Sequence, residues 1–395
     1  MSKVLPQAPS KFLLSVLLLL VFARATGAAA QFQGSFNPEA AVQQGFQLLQ
    51  AGRYRDALEL FGNLARSYPQ APVAHYGAGL ALSGLGQHND AAAAFEQALR
   101  LKPDYEEACF YLGTSRLALG QSQQALEAFQ RASAINPQNP FPLVGIGEAY
   151  NLQSRYADAL ASYQRALQIK SDIPGAYFGM SYAYGSMGKY QEALEASRQV
   201  VRLDPKGAGG YINLAFSYER LEQHEEALAA SRQAVALQPD WPIGHNAVAY
   251  ALNQLGRSQE SIEAAQQALR LKKETKDEAL AQYNLGSAYA DLKQKARSLA
   301  AFRQAIAAYA LVPKLSADDY FYLGNSYLQT DQTAQAIKAF REAIRLRPGF
   351  SLPYLSLGAA YYTLGDRRSA LDIYTTLKTI DPAMAARLYK LLGAK

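Results

Sequence analysis

A position held by a small side chain recurs every 34 residues along most of this chain. Alanine occupies the position six times in succession and a serine extends the count, after which the steps are 37, 38 and 34 residues. The members are Ala57, Ala91, Ala125, Ala159, Ala193, Ala227, Ser261, Ser298, Ala336 and Ala370. A period of this length is typical of an array of small repeated units rather than of closed globular domains.

Two further columns of residues run in phase with the first. A small residue lies twelve positions before each member: Gly45, Gly79, Gly113, Gly147, Ser181, Ala215, Ala249, Gly286, Gly324 and Gly358. A mostly aromatic position follows by four: Phe61, Phe95, Phe129, Tyr163, Ser197, Ser231, Ala265, Phe302, Phe340 and Tyr374. Residues four apart share one face of a helix, and small residues let two helices approach closely. Each unit is therefore predicted to be a helix, a short turn and a second helix.

The best-conforming units carry the motif Leu112-Gly113, Ala125, Phe129, Ala132 and Pro137, and its counterpart from Tyr320 to Pro348. These residues resemble the tetratricopeptide repeat (TPR) family. The resemblance covers residues 38–382. It implies an all-α fold, a right-handed α-solenoid superhelix of about ten TPR helix-turn-helix repeats.

The columns divide the chain into segments. Residues 1–30 are predicted to be a cleavable signal peptide, and residues 31–37 a short leader. Repeats 1–7 occupy 38–275, repeats 8–10 occupy 276–382, and 383–395 is predicted to be a capping helix for the last hairpin. The 34-residue count is broken within 271–277 and 309–315. These insertions are either lengthened surface connections or the sites of a bend.

The first thirty residues have the pattern of an export signal. Lys3 and Lys11 precede an apolar run from Phe12 to Ala23, and small residues lead up to Ala30. Twelve apolar residues fall short of the ~20 that cross a bilayer. We therefore expect a periplasmic or secreted protein, cleaved near Ala30, with no transmembrane segment in the mature chain.

Units five to seven depart from the pattern, because serine or alanine replaces both the glycine and the aromatic residue there. Either these units pack more loosely, or Tyr177, Tyr211 and Trp241 fill the space.

In the family that the sequence resembles, the first helix of each unit lines a concave groove. Projection of the repeat onto a helical wheel predicts a row of aromatic and amide side chains in that groove. Its members are Tyr76, Phe110, Phe178, Tyr182, Phe216, Asn246, Tyr250, Asn253, Tyr283, Phe321 and Asn325. An exposed row of large apolar groups indicates a contact surface, and an extended peptide or a partner helix is its natural ligand. The competing interpretation is that these rings pack against neighbouring units.

The sequence therefore predicts a protein–protein interaction scaffold or adaptor within an envelope or secretion and assembly complex. Such a complex could be membrane-associated, and the sequence leaves self-association open. The alternative is a glycan-binding carrier in exopolysaccharide export, in which the rings would stack on sugars.

The sequence lacks the residues that other classes of function require. Lys3, Lys11 and Arg24 of the predicted signal peptide account for half of the net charge of +6, and the rest is spread along the array rather than collected in a stripe, which argues against nucleic-acid binding. No unit contains more than two of the four histidines, so no metal site and no cofactor is predicted. Cys109 occupies a packing position and is expected to be a buried thiol rather than a nucleophile. No catalytic residues are predicted, and the chain is not expected to be an enzyme.

Overall fold

The computed structural model describes residues 37–272 and 274–393, and these residues form twenty-one helices and no strand. The predicted signal peptide and residues 31–36 of the predicted leader lie outside the described residues, as do the last two residues of the predicted cap. The helices follow one another as ten antiparallel pairs with short turns and one final helix. The predicted all-α array of hairpins is confirmed.

The hairpins are numbered in chain order. Hairpins 1 to 4 pair α1 (Pro38–Gln50) with α2 (Tyr54–Ser67), α3 (Pro72–Gly84) with α4 (His88–Leu101), α5 (Glu106–Ala118) with α6 (Ser122–Ile135), and α7 (Phe141–Leu152) with α8 (Tyr156–Ile169). Hairpins 5 to 7 pair α9 (Pro174–Ser186) with α10 (Tyr190–Leu203), α11 (Ala208–Arg220) with α12 (His224–Leu237), and α13 (Pro242–Gln254) with α14 (Ser258–Leu271). Hairpins 8 to 10 pair α15 (Thr275–Asp291) with α16 (Lys295–Ala310), α17 (Ala317–Gln329) with α18 (Thr333–Leu346), and α19 (Ser351–Thr363) with α20 (Arg367–Ile380), and α21 (Pro382–Leu391) follows.

Local sequence signals set the helix boundaries. The Asn37 side chain accepts hydrogen bonds from the backbone N–H groups of Glu39 and Ala40, at 2.9 and 3.3 Å, and so caps the first turn of α1. Proline stands in the first turn of several first helices, where its missing N–H has no intrahelical partner to lose. Gly86 takes a φ of 77° in the turn that joins α3 to α4, a conformation that favours glycine.

Hairpins are locked together by aromatic rings that lie between glycines. The Phe129 side chain is 1% exposed and packs on Gly113 of its own hairpin and Gly145 of the next. A methyl group on either glycine would lie 2.7 or 2.6 Å from a ring carbon, which is too close for a carbon–carbon contact. Phe61 packs in the same way between two glycines at the start of the array. The glycine and aromatic columns are therefore two halves of one contact.

Hairpins 5 and 6 replace that contact with hydrogen bonds between serines. The Oγ atoms of Ser181 and Ser197 are 2.7 Å apart, and Ser197 Oγ lies 2.7 Å from that of Ser217. Ser197 is fully buried. The expectation of looser packing is therefore wrong here, because a small polar cluster fills the space. Tyr211 and Trp241 are half-buried against the neighbouring aliphatic cluster.

The chain divides into two compact units at Ser171 and Asp172. Unit 1 contains hairpins 1 to 4, and unit 2 contains hairpins 5 to 10 with α21. The extra residues near 275 and 310 lengthen helices, since α15 has 17 residues and α16 has 16. Unit 2 stays continuous through both insertions, because α14 packs against α15 and α16 against α17.

Unit 2 closes on itself through contacts between residues far apart in sequence. Tyr190 Oη donates to the Gly349 carbonyl at 3.4 Å and lies 3.3 Å from Ser351 Oγ. Gly349 approaches the backbone of Ser186 so closely that a methyl group on it would lie 2.4 Å from the Ser186 carbonyl oxygen. The turn of hairpin 5 thus meets the connection between hairpins 9 and 10.

A charged cluster completes this closure. Arg220 at the end of α11 and Arg347 after α18 both pair with Asp318 at the start of α17. The two guanidinium groups also lie over the Phe350 ring, 4.1 and 4.9 Å from its centroid. Burial would raise the pKa of the Asp318 carboxyl, but the charges of Arg347 and Arg220 outweigh it and hold that pKa well below its usual value. We call Arg220, Asp318, Arg347 and Phe350 the closure cluster.

The glycine–aromatic contact predicts that replacing glycine with alanine changes the free energy of unfolding differently at two positions. Gly113→Ala should lower the free energy of unfolding by about 1–3 kcal/mol, because the new methyl group displaces the Phe129 ring. Gly62→Ala in α2 is the matched control, since no atom lies within 4 Å of the added methyl group. It should leave stability unchanged or raise it by up to about 1 kcal/mol. Urea unfolding followed by circular dichroism measures both, and equal effects would contradict the packing contact.

The closure cluster predicts a pH-dependent loss of stability. Asp318→Asn should lower the free energy of unfolding at pH 7 by about 1–3 kcal/mol, because the side chain is 32% exposed and the ion pairs are only partly shielded from water. The folded-state pKa is depressed, so this stabilisation exists above the pKa of the unfolded chain, near 3.9, and is lost as the pH falls further. The difference between wild type and variant should therefore shrink below about pH 4. Exposed Asp372→Asn on α20 is the control, and a pH-independent difference for Asp318→Asn would contradict the ion pairs.

Candidate binding surface

The first helices of the hairpins line the inner side of each unit. Within a unit, each first helix contacts the first helix of the next hairpin, and no comparable contact joins successive second helices in the described part of the chain. Each unit must therefore curve with its first helices inside. The predicted row of aromatic and amide residues lies on these inner helices.

The structure divides that row into three groups by exposure. Tyr76, Asn246 and Phe321 are buried, at 5, 1 and 7%. Half-buried members are Phe110, Tyr250, Asn253, Tyr283 and Asn325. Phe178, Tyr182 and Phe216 are 47, 47 and 46% exposed. The row is therefore a surface only over part of its length.

In unit 1 the predicted rings belong to an aromatic cluster. The Tyr76 ring centroid lies 4.9 Å from that of Tyr105 and 6.0 Å from that of Phe95. Burial raises the pKa of the Tyr76 hydroxyl well above its usual value. Phe110 packs on Phe129 with centroids 5.6 Å apart. Tyr76 is thus a packing residue, and its assignment as an exposed contact is corrected.

The inner side of unit 1 also carries carboxylates, which the sequence analysis did not single out. Glu107 lies on α5 and Glu148 on α7, and burial raises the pKa of both. Glu148 is nevertheless solvent-exposed, so water reaches its side chain even though nearby protein disfavours the charged form. This part of the inner side is acidic rather than purely aromatic.

Two of the predicted amides of unit 2, Asn246 and Asn253, bind the protein's own backbone. Asn246 Nδ2 donates to the Asp277 carbonyl at 3.1 Å, and Asn253 Nδ2 donates to the Asn284 carbonyl at 3.0 Å. Asn284 Nδ2 returns a hydrogen bond to the Asn246 carbonyl at 3.1 Å. These bonds tie α13 to α15. The predicted role of Asn246 in pairing with a partner's backbone is corrected, because its amide group is buried and used within the fold.

The tyrosines of hairpins 7 to 9 pack on one another. Tyr322 lies at the centre of this group, with its ring centroid 5.8 Å from that of Tyr250 and 4.9 Å from that of Tyr283. Burial raises the pKa of all three hydroxyls. Phe321 packs on Phe350 of the closure cluster at 5.4 Å. Phe321 is therefore part of the core, and the sequence analysis missed Tyr322.

One signal in the sequence could have revealed the closure cluster. Helices α9, α13 and α19 contain no Lys, Arg, Asp or Glu. The charge of Arg220 stands out on α11, because the inner helices on both sides of it, α9 and α13, are uncharged, and Asp318 lies on α17 beside the uncharged α19. A charge in such a position indicates a buried ion pair.

The remaining three rings form an open aromatic face, which we define as Phe178, Tyr182 and Phe216. Phe178 and Tyr182 lie one turn apart on α9, and Phe216 occupies the position of Tyr182 in the next repeat, on α11. Gly175 and Gly209 lie on the same helices, and a methyl group on either would meet no atom within 4 Å. The open aromatic face therefore offers large rings beside unfilled space and has no charge on α9.

Two of the histidines and the cysteine make contacts within the fold. The Nε2 atoms of His75 and His245 lie 3.0 and 2.8 Å from the carbonyls of Pro69 and Pro239, six residues earlier in each case. Cys109 is fully buried, and burial raises the pKa of its thiol, which opposes the thiolate form that a nucleophile needs. Among the described residues no set of His, Cys, Asp and Glu side chains is placed to bind a metal ion. None of the described helices combines the length and the apolar character needed to cross a bilayer.

A solved structure with a TM-score of 0.50 supports the fold, and two further TPR proteins are similar to a shorter part of the chain. A tetratricopeptide repeat protein from Parabacteroides merdae is 16% identical, covers 64% of this chain and 97% of its own, and gives a TM-score of 0.50. A thermophilic TPR protein from Thermus thermophilus is 26% identical over 46% of this chain and 100% of its own, with a TM-score of 0.41. YrrB, described as a TPR protein with an unusual peptide-binding site, is 22% identical over 47% of this chain and 95% of its own, with a TM-score of 0.36. None of the curated proteins compared with the chain matches it significantly.

Family models match most of the chain. Models described as tetratricopeptide repeat match residues 44–106, 76–140 and 246–313, and also 174–206 and 208–240. A model described as TPR repeat matches 147–188 and 324–365. All of these models describe repeats, and none describes a catalytic domain. The matches follow the hairpins from the first to the tenth and cover well over half of the sequence, so this chain belongs to the tetratricopeptide repeat family.

Proposed function

We propose that this chain is a protein-binding scaffold whose open aromatic face binds an extended or helical segment of another polypeptide. One observation carries the proposal. Three large rings on neighbouring inner helices are almost half exposed, whereas the inner positions that follow them in hairpins 7 to 9 are covered by the protein's own side chains.

The chemistry of the face favours apolar contacts with a partner. Aromatic rings bury a large area and have few rotatable bonds to immobilise, so they dominate many protein interfaces. Gly175 and Gly209 leave room beside the rings for a partner's backbone or side chains. Because α9 carries no charge, the affinity should depend little on salt concentration.

The proposed role is binding rather than catalysis. The closure cluster of unit 2 brings acidic and basic groups together as ion pairs, and the pKa of Asp318 is lowered there. A carboxylate held ionised between two guanidinium groups stabilises the fold and is a poor proton acceptor. The only cysteine is a buried thiol.

The proposed setting is outside the cytoplasm, in an envelope or secretion and assembly complex. The support for it is the sequence pattern of Lys3, Lys11, the apolar run from Phe12 and the small residues ending at Ala30. A scaffold in that setting would act on exported polypeptides. This is the source from which a partner should be sought.

A triple substitution tests the binding face. Phe178→Ala, Tyr182→Ala and Phe216→Ala together should reduce capture of the partner from envelope extract by at least about tenfold, because the rings supply most of the apolar contact. The effect on the free energy of unfolding should stay small, since each ring is almost half exposed. Quantitative mass spectrometry of the captured proteins measures the loss.

The matched control removes the same number of exposed apolar side chains away from the face. Leu237, Leu292 and Leu371 are 40, 38 and 38% exposed on α12, after α15 and on α20. Their triple alanine variant should capture the partner as wild type does. Equal capture by both triple variants would contradict the assignment. Loss of polysaccharide binding rather than of polypeptide capture would favour the glycan carrier instead.

A further inference from the structure

The open aromatic face repeats one ring along the array. Tyr182 on α9 and Phe216 on α11 occupy the same position of successive repeats, and their side chains are 47 and 46% exposed. Helices α9 and α11 contact each other, and packed helices lie about 8–10 Å apart. A partner segment that contacts both rings in the same way must therefore present equivalent side chains at about that interval.

This interval distinguishes the regular conformations that a partner segment can adopt. One face of a β-strand presents a side chain about every 6.6 Å, because the strand rises about 3.3 Å per residue. A polyproline II helix has three residues per turn and a rise of about 3.1 Å, so equivalent side chains recur about every 9.3 Å. An α-helix returns to the same face after seven residues, or about 10.5 Å. The ring interval therefore fits a polyproline II helix or an α-helix better than a β-strand.

The closure of unit 2 limits the width of the segment. Ser186 lies one turn after Tyr182 on α9, and its backbone meets Gly349 of the connection between hairpins 9 and 10. Arg220 lies one turn after Phe216 on α11 and pairs with Asp318 of α17. Each ring thus lies one helical turn from a contact that crosses the inner side of the unit. An α-helix with its side chains is about 10–12 Å wide, so this position favours the thinner polyproline II chain.

The surroundings of the rings suit prolines. Helix α9 carries no charged side chain, and a methyl group on Gly175 or Gly209 would meet no atom within 4 Å. Proline has no backbone N–H group that needs an acceptor, and proline-rich segments dock in grooves lined by aromatic rings. Phe178, one turn before Tyr182 and 47% exposed, places a third ring beside the first two. The face therefore offers apolar stacking without charges to be paired.

We propose that the segment bound by the open aromatic face is proline-rich and adopts a polyproline II helix, with prolines three residues apart on Tyr182 and Phe216. This inference rests on the proposed binding function of the face, and it adds the chemistry and the spacing of the partner. An amphipathic α-helix is the competing occupant, and its binding is an outcome of the test.

Calorimetry on the full-length protein tests the spacing with three synthetic dodecapeptides. The first contains four Pro-Pro-Ala units, the second contains three Pro-Ala-Ala-Ala units, and the third is an amphipathic helix of Leu, Ala and Gln. The first should bind at least about tenfold more tightly than either of the others, because it alone places prolines three residues apart in a polyproline II helix. Equal binding of the two proline peptides, or tightest binding of the helical peptide, would overturn the proposal.

Substitutions that keep an apolar side chain separate ring stacking from general hydrophobic contact. Tyr182→Leu with Phe216→Leu should weaken binding of the Pro-Pro-Ala peptide at least about fivefold, because the flat rings are lost. The melting temperature should change little, since both side chains are almost half exposed. Leu237→Ala on α12, where Leu237 is 40% exposed, is the control and should leave binding unchanged. Unchanged binding by the double variant would overturn the assignment of the two rings.

The proposed function and this inference fail through different results. Suppose that the triple alanine variant of the face loses the envelope partner, while the wild-type protein does not bind the Pro-Pro-Ala peptide in the millimolar range. The face then binds a partner of other chemistry, and only this inference is overturned. If the triple variant captures the partner as wild type does, the proposed function is wrong and this inference falls with it.

Discussion

The stacking of hairpins depends on the contact between an aromatic ring of one second helix and the bare backbone of two first helices. Phe129 shows it most clearly, because the ring lies on Gly113 of its own hairpin and Gly145 of the next. The contact works only if both glycines lack a side chain, so it fixes the distance within a hairpin and between hairpins together. Where serines replace the ring, as at Ser197, hydrogen bonds between hydroxyl groups hold the same helices at close range.

The same stacking places the first helices on the inner side of each unit, but it does not make that side uniformly available. In unit 2, the closure cluster around Asp318 and the tyrosines around Tyr322 occupy the inner side of several hairpins. In hairpins 5 and 6, by contrast, Phe178, Tyr182 and Phe216 are almost half exposed. Whether an inner ring of unit 2 is buried or exposed is therefore set by contacts between hairpins that are distant in sequence, and not by the repeat itself.

Much of the fold could be predicted from the sequence, because its signals are local and repeated. The columns through Gly113 and Phe129 gave the hairpin phase, and helix starts followed from prolines and from Asn37. Whether an individual inner side chain is buried or exposed could not be predicted in this way. Tyr76 and Tyr182 both stand on inner helices, yet one is buried and the other almost half exposed. The contacts that decide exposure in unit 2 join residues of different hairpins, such as Tyr250 with Tyr322 and Arg220 with Asp318, which no local period encodes.

The central claim is that partners reach hairpins 5 and 6 while the inner side of hairpins 7 to 9 is closed by the protein itself. Site-specific photo-crosslinking in the native compartment tests it most directly, with a photoreactive phenylalanine placed in turn at the positions of Tyr182 and Tyr250. The account predicts cross-links to a second polypeptide from position 182 and none from position 250. Cross-links from position 250 with none from position 182 would contradict it.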